Sequence, residues 1–229
     1  MFAKILKTLI GILLIPIAIG TAKAFYSEVS DISLLSGLLH VLERGILTYF
    51  IIHIFILRPV YIYVLGHEFV HVIATWLCGG QVVSFNVSPR GGNVVTSKTN
   101  FFIELSPYFV PIYTILIGII YFFLRSIDKE IPHMSLVFIF LVGFTLAFHF
   151  VMTSEVLRME QPDIMKSGIV FSFVVIFVAN LFVVTLAFSP IFSDISFISF
   201  VKQSWNGSIE SYQYCFDKVI AFVSAHNFA

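Results

Sequence analysis

The run VLGHEFVHVIATWLCGG, residues 64–80, is apolar over most of its length yet carries His67, Glu68, His71 and Cys78. Burying ionisable groups among Leu, Val, Ile and Phe is costly unless they are paired or hold something. His67 and His71 are four residues apart, which on a helix puts them on one face about one turn from each other. Two imidazoles so placed can share one zinc ion. Glu68, directly after the first, then stands beside the metal, where it can take a proton from water. The run fits the pattern H-E-x-x-H. The structural alternative is that the histidines bond neighbouring helices and Glu68 pairs with Arg58 or Arg44. Against it, ionisable residues inside a bilayer mark function, and Glu68 is the only acid between Arg44 and Arg90.

The rest of the chain supplies that bilayer setting. Of 229 residues, 59% are hydrophobic, 17% aromatic and 11% charged, with a mean hydropathy of +0.99. Soluble domains carry about 25% charged residues, so the composition is that of a membrane protein. A formal net charge of zero gives no basis for nucleic-acid binding. Cys78 and Cys215 are too few and too far apart to form a disulfide framework.

A spanning helix needs about 20 apolar residues. The hydropathy pattern predicts a first helix over 5–22, for which a cleaved signal peptide ending near Ala22-Lys23-Ala24 is the alternative. Residues 46–78 are too long for one straight crossing. Pro59 is expected to break them, leaving 60–78 as the helix of the motif. Further spans are predicted at 102–124, 134–154 and 168–189. The tail, 196–229, reads as an interfacial amphipathic helix or a weak last span. Residues 81–98 alternate, are rich in β-branched side chains and turn at Pro89-Arg90-Gly91-Gly92, which predicts a β-hairpin. The expected fold is therefore an all-α polytopic membrane protein of about five to six transmembrane helices, one membrane-embedded domain, with a hairpin after the motif helix.

A catalytic zinc usually has three protein ligands. Downstream candidates are Cys78, Glu104, His149, Glu155 and Asp163. If the hairpin lies on the side where helix 60–78 ends, the next two spans run out and back, and the loop 155–167 returns to that side. His71, His149 and Asp163 then share a similar depth. Asp163, in Gln161-Pro162-Asp163, is the expected third ligand. Its alternative is ordinary helix capping just after a proline. His149 is read as a packed histidine or a polar group near the substrate. Glu155 is read as an interfacial charge near Arg158, Cys78 as a small buried hydrophobe, Glu104 as a first-turn acid, and His53 as structural.

Taken together, His67-Glu68-x-x-His71 in a membrane helix, the Gly79-Gly80 exit, the hairpin around Pro89-Arg90-Gly91-Gly92 and Asp163 opening a much later helix resemble the site-2 protease family of intramembrane zinc metalloproteases. The likeness spans about residues 60–185, the expected catalytic core. The family's second motif is Asn-Pro-Asp-Gly or a near relative, whereas this chain has Gln161-Pro162-Asp163-Ile164, which marks a divergent member. The resemblance implies Zn2+ held by His67, His71 and Asp163, with Glu68 as general base. It implies that the hairpin offers an edge to an extended substrate segment. It places the protein in a prokaryotic cell (inner) membrane, acting on membrane-protein or transmembrane-peptide substrates, with a regulatory membrane partner in prospect. His149 and Gln161 are candidates for oxyanion stabilisation. Alternatives from other classes are a non-proteolytic zinc-binding membrane protein and a small transporter using the same His/Glu cluster. A zincin whose third ligand is Glu155 is a further alternative.

Overall fold

Within a bilayer every backbone N–H and C=O must find its partner inside the segment, so apolar runs become helices. The computed structural model describes residues 2–33, 36–88, 90–127 and 132–226. Pro89 of the predicted turn and residues 227–229 of the predicted tail lie outside the described residues. In chain order the elements are α1 (Phe2–Leu13), α2 (Ile15–Ser30), α3 (Gly37–Phe55), α4 (Val60–Leu77), β1 (Val82–Ser88), β2 (Gly91–Thr96), α5 (Phe101–Leu105), α6 (Ile112–Ile127), α7 (Met134–Leu157), α8 (Pro162–Ser167), α9 (Ile169–Phe188) and α10 (Phe197–His226). Among the described residues five helices are long and apolar enough to cross a membrane: Ile5–Ser30, taken across the α1–α2 joint, with α3, α4, α7 and α9. The protein is an all-α, multi-pass membrane protein with one antiparallel hairpin. Large apolar side chains stand exposed along the spans, Ile54, Phe55 and Phe177 among them, as expected where lipid is the solvent.

The break at Pro59 is present, and α3 begins at Gly37, earlier than the predicted 46. Residues 102–124 are not one helix. After α5 comes a 3-10 turn, Ser106–Tyr108, and the chain bends by 76° before α6. Pro111 has no N–H to continue a helical ladder, and Pro107 fits only at the start of the 3-10 turn. Asp163 does not open the last predicted span either. It lies on the separate helix α8, and Gly168, at φ 91°, intervenes before α9. The tail forms a single 30-residue helix, α10. It is not among the helices apolar enough to span.

The chain divides into two compact units, Met1–Ser33 with Gly168–Ala229, and Leu34–Ser167. In the first, Gly20 on α2 lies against the backbone of Gly207 and Ser208 on α10. Small residues at such a crossing let two helices approach closely. The buried Glu28 carboxylate accepts hydrogen bonds from Ser196 N and Gln203 Nε2, each at 2.9 Å. In the second unit α3 packs on α7. A Cβ on Gly45 would meet the Phe140 carbonyl, and one on Gly143 the Leu42 carbonyl. The core there is Tyr49, Tyr63, Ala147, Phe148 and Met152, with Tyr49 edge-on to Phe144 at 5.4 Å and to Phe148 at 5.6 Å. This frame holds α4 in place.

Candidate metal centre

Helix α4 ends where Gly79, at φ 66°, takes the left-handed conformation a side chain disfavours. The Gly80 N–H then donates back to the Thr75 carbonyl at 2.8 Å, and the chain turns into β1. The hairpin pairs Val87 with Gly92 and Ser88 with Gly91, which carries Gly92 over the motif. A Cβ at Gly92 would overlap the Glu68 side chain at Cγ and lie 2.7 Å from Oε1. Only glycine lets the hairpin approach the glutamate so closely.

On α4 the buried face includes Tyr63, Gly66, Glu68, Val70 and His71, and Phe69 and Trp76 face outward. His67 and His71 stack edge-on, ring centroids 5.0 Å apart. His71 Nδ1 donates to the Ile103 carbonyl on α5 at 2.8 Å. A carbonyl only accepts, so Nδ1 carries the proton and Nε2 points the other way. That Nε2 lies 3.4 Å from Asp163 Oδ2. A proton on Nε2 makes this contact an ion pair; a lone pair makes Nε2 a metal ligand. Tyr108 Oη donates to the same carboxylate oxygen at 3.5 Å, and its ring stands edge-on to His67 at 5.1 Å. The bend between α5 and α6 therefore builds the site: it brings both Ile103 and Tyr108 to the histidines.

His67, His71 and Asp163 each offer one ligand atom, and these lie within 4.8 Å of one another. Tetrahedral zinc bonds of about 2.0–2.1 Å separate ligand atoms by about 3.3 Å, close to the His71–Asp163 spacing. Two imidazole nitrogens and a carboxylate oxygen are donors that zinc accepts, and the Nδ1 bond to Ile103 is the outer contact that orients a ligating histidine. The group could hold a metal ion. Burial pushes the Asp163 carboxyl up, but the His71 hydrogen bond, with His71, His67 and Lys166 nearby, holds it below the usual aspartate range. It is thus ionised at neutral pH, as a ligand must be.

A polar cavity of about 200 Å³ opens on this group, lined by His67, Glu68, His71, Glu104, Asp163 and Lys166 among others. A second, more apolar cavity of about 250 Å³ also reaches His67 and Glu68, past Val60, Val64, Val156 and Met159. Gly92 lines both, so Glu68 sits where they meet under the hairpin.

The other sequence candidates fall elsewhere. Gln161 lines both cavities, but its Nε2 donates to the Val156 carbonyl at 3.1 Å. His149 is buried and lines a third, small cavity with His67. Glu155 is not at the metal group: His53 Nε2 lies 3.2 Å from it and Arg58 3.8 Å, rather than Arg158. The same network ties His53 to Tyr49 at 3.0 Å. Cys78 caps α4, with Sγ 3.4 Å from Asn100 Nδ2. Glu104 is more than a first-turn acid. It is buried, accepts from Thr99 at 2.9 Å, and accepts from Ser167, which fixes α8 and hence Asp163 against α5. Sequence reasoning missed Tyr108, Gly92 and this role of Glu104. Pro107 and Pro111 were the available signal for the bend that places Tyr108.

Searches against family models, curated proteins and solved structures find no match for this chain.

Proposed function

We propose that the protein is an intramembrane zinc metalloprotease of site-2 protease type, hydrolysing peptide bonds in or near transmembrane segments of membrane-protein substrates. The observation that carries the reading is the convergence of His67, His71 and Asp163 ligand atoms within 4.8 Å, with Glu68 lining the same polar cavity. The resemblance of the H-E-x-x-H and Pro-Asp motifs to that family points the same way.

When bound, zinc supplies a Lewis acid for a peptide carbonyl and lowers the pKa of water. Everything else falls to the chain. Glu68 accepts a proton from the attacking water and returns it to the leaving amine, so the two halves of the substrate leave as carboxylate and amine. Ile103 and Tyr108 hold His71 and Asp163 in orientation. The substrate must unwind locally, because a helix hides its scissile carbonyl in its own hydrogen bonds. The two cavities that meet at Gly92 offer room for the chain on either side of the bond to be cut. By the same resemblance, the hairpin presents its edge to that extended segment, and the protein resides in a prokaryotic cell membrane.

Co-expression with a single-span membrane substrate tests this. The expected result is a cleaved product that disappears when membranes are treated with a zinc chelator and returns on adding zinc. Persistent absence of cleavage across a panel of such substrates, with zinc bound, would favour a non-proteolytic zinc protein.

A further inference from the structure

His67 and His149 share an unmet need. His67 Nδ1 and His149 Nε2 are both buried and, among the described residues, have no hydrogen-bond partner. Leaving a buried polar atom unpaired is costly, so two at one place call for a common explanation. Both histidines line one cavity of about 10 Å³, with Tyr63, Pro107, Tyr113 and Thr145 among its walls. That is about the space one water molecule requires.

The remaining polar side chains of the cavity are already engaged. Tyr63 Oη pairs with Thr153 at 3.2 Å. Tyr113 Oη donates to the Ile62 carbonyl. Thr145 Oγ1 pairs with Thr114 at 2.9 Å and donates to the Leu141 carbonyl at 2.8 Å. Among the described side chains that line this cavity, the two histidine nitrogens are the ones left unmet.

Their proton states are complementary. His149 is hydrogen-bonded to the Tyr108 backbone carbonyl. Since its Nε2 has no partner, the donor is Nδ1–H, and Nε2 of the neutral ring bears a lone pair. With Nδ1 turned into this cavity, a metal at His67 would be held through Nε2, which would leave the ring proton on Nδ1. One side offers a donor and the other an acceptor.

We propose that a single buried water accepts from His67 Nδ1–H and donates to His149 Nε2, making His149 a positioning residue for the metal ligand His67. A ligating histidine generally donates its second N–H to a carboxylate, carbonyl or water, which fixes the ring and raises its basicity. His71 has Ile103 for this purpose; His67 has the water and His149. The chain from Tyr108 is continuous: its carbonyl orients His149, its ring abuts His67 and its hydroxyl reaches Asp163. The inference rests on the zinc-site reading given above.

The test is zinc affinity of the purified full chain, by competition with a chromogenic chelator, for wild type, His149→Leu and His149→Gln. Loss of such an outer partner costs about 10–100-fold in metal affinity. His149→Leu is expected to bind about 10–100-fold more weakly. His149→Gln, whose amide oxygen can still accept from the water, is expected to stay within about fivefold of wild type. Wild-type affinity in His149→Leu overturns the inference and leaves the zinc site standing. So does a loss of 100-fold or more in His149→Gln, which decides the matter even if the leucine variant does not fold. No zinc binding by the wild type overturns both this inference and the metalloprotease reading.

Discussion

Glu68→Gln is expected to keep its zinc and lose cleavage by about 10²–10⁴-fold, the usual contribution of a positioned general base. Glutamine matches glutamate in size, so it fits beneath Gly92, where a Cβ would already overlap the Glu68 side chain. It cannot accept a proton from water. Glu68 is not one of the three grouped ligands, so metal content is expected to be unchanged. Cleavage of a single-span reporter, compared at equal zinc per chain, measures the effect. Undiminished cleavage would remove Glu68 from the mechanism.

Asp163→Ala is expected to weaken zinc binding by at least about 100-fold, beyond the loss typical of an outer-sphere contact. The carboxylate is the one anionic member of the group. Removing it takes away a ligand and also the contact of His71 Nε2 and the acceptor of Tyr108. The helix that carries it is expected to persist. Ile164 and Ser167 of α8 are buried, and Ser167 still donates to Glu104. Zinc competition together with circular dichroism separates ligation from capping. A cap alone would cost about 0.5–2 kcal/mol of helix stability and leave zinc affinity unaltered.

Much of this architecture could be read from the residues because it follows from local rules. Pro59 cannot sit inside a helix, so the long apolar run had to divide there. The alternation across 81–98 with adjacent glycines reads as a hairpin whatever surrounds it. Counting crossings from the hairpin onward was enough to bring Asp163 to the depth of His71. The bend before α6 was harder. The run from 102 to 124 is apolar throughout, and in a membrane protein that signal overrode Pro107 and Pro111. The contacts of Tyr108 and Gly92 depend on that bend and on hairpin register, neither of which hydropathy carries. The detachment of α8 had a local mark in Gly168, but its tie to Glu104 joins residues 63 positions apart and leaves no local trace.

Zinc per chain in detergent-purified protein, measured by elemental mass spectrometry for wild type beside the double substitution His67→Ala/His71→Ala, tests the centre itself. The expected result is about one zinc per wild-type chain that survives desalting, and almost none in the double variant. Equal zinc in both, or none in the wild type after metal is supplied, would contradict a zinc centre at His67, His71 and Asp163.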